Sequence, residues 1–266
     1  MSIESENSVP TEPIENRITY CRPPTFLISK IGNGDLIPVG GKNMFNRVLD
    51  KEITCDLENN KLVLFLNEAH EFAQQRNLPK IREWLDTGGW DINEGLFATL
   101  FTFNKLYAKR YPTDPNGSEI REGMYRNEKA ITLSSIFERN VAECAEIAAL
   151  AQVFLQNEGI TSVYVGGSVL WELDLDPESF SYPEPHAFLI IHKEGHTYIY
   201  DPSNPINFEK VGYLPAIYEI NGVNFEEEMI GMKGNKLITA KEIYTGRIAY
   251  FGGSDFRAIS PEKDII

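Results

Sequence analysis

Three residues in the second half of the chain could together carry acyl-transfer chemistry: the thiol of Cys144, the imidazole of His186 and the carboxylate of Asp201. A cysteine nucleophile needs a base to take its proton, and the base needs a partner that fixes its tautomer. Such a set attacks an amide carbonyl through sulfur, hands the proton to the leaving amine, and resolves the thioester with water or a second amine. Whether the three can meet depends on the elements that carry them.

Residues 134–159 read as a helical unit. Cys144, Ile147, Ala148, Ala151, Phe154 and Leu155 recur at the three- and four-residue spacing of a buried helix face. Asn140 reads as the N-cap, with Glu143 three residues on as a capping-box variant, and Gly159 as the stop. Cys144 then lies in the first turns, where unpaired backbone N–H groups and the helix dipole favour a thiolate. A cysteine on an apolar helix face is also an ordinary core residue, so the other two residues decide.

Residues 186–192, HAFLIIH, and 197–201, TYIYD, are strand-like runs joined by Lys193-Glu194-Gly195-His196, a hairpin signal. With Glu194-Gly195 as the turn, Lys193 faces His196 and His192 faces Thr197. Phe188 then lies opposite Asp201, and His186 opposite Ser203. His186 and Asp201 share a face as diagonal neighbours, about 7–8 Å apart along the backbone. A slip of one residue would send Asp201 to the other face.

These segments follow one another in a recognisable order: Cys-x-x-x-Ala at Cys144 and Ala148, Gly159-Ile160 at the helix exit, Gly166-Gly167, Pro185-His186-Ala187-Phe188, and Asp201-Pro202-Ser203-Asn204-Pro205. Together they resemble the catalytic core of the transglutaminase-like superfamily of papain-like enzymes, over residues 140–205, about a quarter of the chain. The resemblance implies Cys144 as nucleophile, His186 as base and Asp201 as acid, with Ala148 the small residue packed behind the thiol. Phe188 stands where the family often has Trp, and Ser203 where it usually has Thr. Ala142 replaces a common glycine, and no glutamine precedes Cys144 at papain-like distance. The Cys144 N–H is the first oxyanion donor on this reading; Asn140, Trp84 and Trp90 are candidates for the second.

The implied fold is α+β, a papain-like/transglutaminase-like core (catalytic helix packed on an antiparallel β-sheet) with a helical N-terminal cap. The implied activity is thiol-dependent acyl transfer on protein amide groups, without cofactor or metal: a glutamine deamidase, a transglutaminase or a cysteine protease. Cleft shape and water access choose among these. By analogy the idiosyncratic N-terminal half suggests a bacterial effector. The alternative is a non-catalytic transglutaminase-like module that binds a protein partner.

Composition bounds the rest. The 266 residues, 42% hydrophobic, can bury a sizeable core, and the formal net charge of −14 disfavours nucleic-acid and anionic membrane surfaces. Cys21, Cys55 and Cys144 are far apart with no CxxC pair, which suggests neither a disulfide framework nor a zinc site. The first residues lack a signal pattern and no apolar run reaches membrane-span length, so the expectation is a cytoplasmic protein or one exported by a signal-independent route.

Residues 1–17 read as a disordered tail, 18–123 as a helical lobe or cap, 124–256 as the catalytic core and 257–266 as a second tail. Within the lobe, 18–39 reads as irregular with a strand or two, 52–56 and 61–66 as short strands, and 68–76, 78–86 and 95–111 as helices. The stretch 112–123 reads as loop. Strands are expected at 161–170, 214–220, 236–239 and 246–250, and 171–185 is an acidic loop with Asp174, Asp176, Glu178 and Glu184. That loop lacks the glycine and terminal glutamate of a calcium motif. His192 and His196 read as surface histidines. Helices first and an antiparallel sheet after them make the class α+β.

Overall fold

The computed structural model describes residues 18–39, 51–75, 80–83, 85, 92–112, 114–128, 130–171, 184–208, 212–219, 247–252 and 255–259. In chain order they form β1 (Ile18–Ile28), β2 (Leu36–Val39), β3 (Lys51–Thr54), α1 (Asn60–Gln74), α2 (Glu94–Arg110), α3 (Gly117–Asn127), α4 (Leu133–Glu138) and α5 (Cys144–Asn157). Then follow β4 (Thr161–Trp171), β5 (Glu184–Lys193), β6 (His196–Phe208), β7 (Gly212–Glu219), β8 (Arg247–Gly252) and β9 (Asp255–Ile259). The main sheet has the order β7-β6-β5-β4-β1-β8-β9, antiparallel except between β1 and β8, and β2 and β3 pair separately. The fold is α+β.

The apolar runs of β4, β5 and β6 are explained by burial on both faces. Ala187, Leu189, Ile191, Tyr198 and Tyr200 join the core built around α5, while the alternating Phe188, Ile190 and Ile199 are buried as well. α5 is tied to the sheet by Gln152, whose buried amide donates to Ile28 O at 2.9 Å and Ser162 O at 3.1 Å. Behind it, Phe65 of α1, Phe103 of α2, Phe137 of α4 and Phe154 of α5 interlock with Tyr107 and Tyr111. Among the described residues no helix is long and apolar enough to cross a membrane.

Two irregularities come from X-Pro pairs, which cannot donate to a ladder. In β1 the register against β4 shifts between Cys21 and Phe26, around Pro23-Pro24 and opposite Gly166–Ser168. In β6 the register against β7 shifts between Asp201 and Ile206, so the Pro202-Ser203-Asn204-Pro205 run leaves the ladder.

Several local expectations change. Residues 61–66 are helical, not a strand: Asn59 caps α1 by accepting from Lys61 N at 2.9 Å, and Leu62, Phe65, Leu66, Ala69 and Ala73 form its buried stripe. Much of 112–123 is α3, started by the turn in which Asp114 O accepts from Gly117 N at 2.9 Å. The unit 134–159 is two helices, because Asn140 adopts φ 56° between them, a left-handed conformation asparagine tolerates. Asn140 is therefore not the N-cap of α5; Glu143 is. Gly159 does end that helix, with φ +70°.

The sheet takes β1 from the stretch read as a lobe, and β9 reaches into the stretch read as a C-terminal tail. Residues 1–17, 172–183 and 236–239, with Trp84, Trp90, Asp174, Asp176 and Glu178, lie outside the described residues.

Candidate active site

The hairpin has the register expected of it. Lys193 pairs His196, His192 pairs Thr197 and Leu189 pairs Tyr200, so one step further sets Phe188 opposite Asp201. The turn is made by Glu194 at φ 54° and Gly195 at φ 86°, the two positive values of a type I′ connection. His186 and Asp201 consequently share a face, and His186 Nε2 lies 2.7 Å from Asp201 Oδ2. A carboxylate only accepts, so the shared proton sits on Nε2 and Nδ1 is the ring atom left for another partner. Cys144, at the start of α5, lies near enough to His186 for its side chain to favour the charged imidazole.

Asp201 is fully buried and fully satisfied. Oδ1 accepts from Ser203 N at 3.1 Å and Ser203 Oγ at 2.7 Å; Oδ2 accepts from His186 and from Asn204 Nδ2 at 2.9 Å. The residues that leave the β6 ladder are those that fold back onto the carboxylate. Asn204 Nδ2 also comes within 3.3 Å of His186 Nε2, but two donors face each other there, so its protons go to Asp201 and to Ser203 Oγ at 3.2 Å.

Burial raises the Asp201 pKa, yet His186, Ser203 and Asn204 outweigh it and hold the carboxyl below its ordinary value. Burial likewise works against a charged His186, but the Asp201 carboxylate and the Cys144 sulfur hold the imidazole well above 6.5. The resting site therefore favours an imidazolium beside the Asp201 carboxylate.

The start of α5 is fastened by groups that the sequence pattern did not single out. Glu146, completely buried, accepts the Glu143 N–H at 2.9 Å and pairs with Arg121 Nη2 at 2.7 Å. Asn104 of α2, also buried, donates to Pro202 O at 3.0 Å and accepts from Tyr200 OH at 2.5 Å, holding the residues on both sides of Asp201. Tyr164, buried near Cys144 and Glu146, has its hydroxyl pKa raised by that burial and stays neutral.

His192 bonds Thr197 Oγ1 at 3.1 Å and exposed His196 stacks on Tyr198, both away from His186 along the hairpin. Of the oxyanion candidates, Asn140 is described, and its backbone carbonyl accepts from Asp114 N at 3.1 Å. Comparisons with protein-family models, with curated proteins and with solved structures find no match to the chain. The transglutaminase-like resemblance therefore stands on its motif residues.

Proposed function

We propose that this chain is a cysteine-nucleophile acyl-transfer enzyme with a papain-like, transglutaminase-like core, acting on amide groups of proteins. One observation carries the reading: beside Cys144, a buried imidazole has its Nε2 held at 2.7 Å by a buried, fully satisfied carboxylate. Cys144 sulfur attacks the amide carbon, and the developing oxyanion meets the Cys144 backbone N–H. The His186 imidazolium gives its proton to the leaving amine and then takes one from water or from an incoming amine, which opens the thioester. Asp201 keeps the tautomer and offsets the imidazolium charge.

Glutamine deamidation, transglutamination and proteolysis share these steps and differ in who resolves the thioester. The chain's acidic character and specialised N-terminal half fit an effector-like enzyme that modifies other proteins better than a digestive one. Intact-mass spectrometry of candidate substrate proteins tests the reading. A gain of about one mass unit marks deamidation, loss of ammonia with crosslinking marks transglutamination, and fragments mark proteolysis. A non-catalytic binding module would retain partners and leave every mass unchanged.

A further inference from the structure

Cys144 is the first residue of α5, and the five residues before it carry no regular structure that would hold the thiol toward His186. Arg121, from α3, supplies that hold. Its Nη1 donates to Val141 O at 3.3 Å, its Nε pairs with Glu143 Oε2 at 3.3 Å and its Nη2 with Glu146 Oε1 at 2.7 Å. Glu146 in turn accepts from Tyr125 OH at 3.4 Å and from Glu143 N, and the guanidinium lies 5.1 Å from the centre of the Tyr125 ring. One buried cation thus grips the chain at positions 141, 143 and 146, on both sides of Cys144, through a rigid planar fork.

From this geometry we propose that Arg121 is a positioning residue for Cys144: with Glu146 it fixes the first turn of α5 so that the thiol meets His186. The inference rests on the reading of Cys144 as nucleophile. A residue serving only stability could be replaced by packing. A buried ion pair can often be exchanged for apolar side chains of similar volume without loss of fold, whereas removing one partner strands a charge.

The test is the rate at which iodoacetamide alkylates Cys144 in the folded full-length chain, measured across pH by peptide mapping, with thermal unfolding alongside. Arg121→Met/Glu146→Met removes both charges together. Arg121→Lys keeps the charge but loses the fork. The double variant is expected to fold yet alkylate at least about tenfold more slowly, with Arg121→Lys intermediate, because small displacements of a reacting atom cost that much or more. Either folded variant reacting within about twofold of wild type overturns the proposal. His186→Ala separates this from the enzymatic reading. If it leaves the Cys144 rate unchanged, the nucleophile assignment fails; if it slows the rate while the Arg121 variants do not, only the positioning role fails.

Discussion

His186 Nε2 and Asp201 Oδ2 are 2.7 Å apart between two strands, with both side chains buried. The pair should leave a two-sided mark on stability. The folded pKa of His186 is raised, so its contribution is complete below its ordinary 6.5 and is lost as pH rises through the folded value. The folded pKa of Asp201 is lowered, so its contribution is present above its ordinary 3.8 and is lost as pH falls through the folded value. The stability difference between wild type and Asp201→Asn should therefore be greatest between about pH 4 and 6.5 and shrink on either side. Denaturant titrations across pH check this, and a flat difference contradicts it.

Activity and folding should separate at the same site. Cys144→Ala exchanges one small half-buried group for another and should unfold near the wild-type midpoint, with no substrate modification by intact mass. Asp201→Asn presents the wrong tautomer to the thiol and should slow turnover by about three to four orders of magnitude. Substantial activity in Cys144→Ala would move the nucleophile elsewhere.

Cys55 offers an internal control for thiol chemistry. It is fully buried, and burial, with Asp35 and Asp56 nearby, pushes its pKa up to about 12. Iodoacetamide at neutral pH should label Cys144 and leave Cys55 untouched until the protein is denatured. Peptide mapping before and after denaturation reads this directly.

Asn104→Ala should cost about 1–3 kcal/mol in chemical denaturation, because it leaves the buried Tyr200 hydroxyl and Pro202 carbonyl without their partner. It should also slow the Cys144 alkylation that depends on His186, since both neighbours of Asp201 are released. An effect on stability alone would make Asn104 a packing residue only.

Gly159→Ala isolates a backbone effect. A methyl group there meets nothing within 4 Å, so the expected loss of about 1–2 kcal/mol comes from the φ of +70° alone. A neutral result would mean that the end of α5 can relax.

What the sequence determined by itself was local. The hairpin register follows from Glu194-Gly195 and the apolar runs beside it. The end of α5 follows from Gly159, and its buried face from apolar spacing. Each depends on neighbours a few residues apart, where periodicity and turn chemistry act. The tertiary structure decided how Cys144, His186 and Asp201 are held. Arg121, Glu146 and Asn104 read as surface residues in any periodic pattern, because charged and amide groups are buried only where partners await them. Those partners lie 25 residues away for Arg121 and Glu146, and 96 and 98 away for Asn104. The start of α5 moved from Asn140 to Glu143 because Asn140 takes a left-handed φ of 56° and the Glu146 carboxylate caps the Glu143 N–H. What folding adds there is the Arg121 guanidinium arriving from α3, a group no local rule can count because only the tertiary structure brings it near.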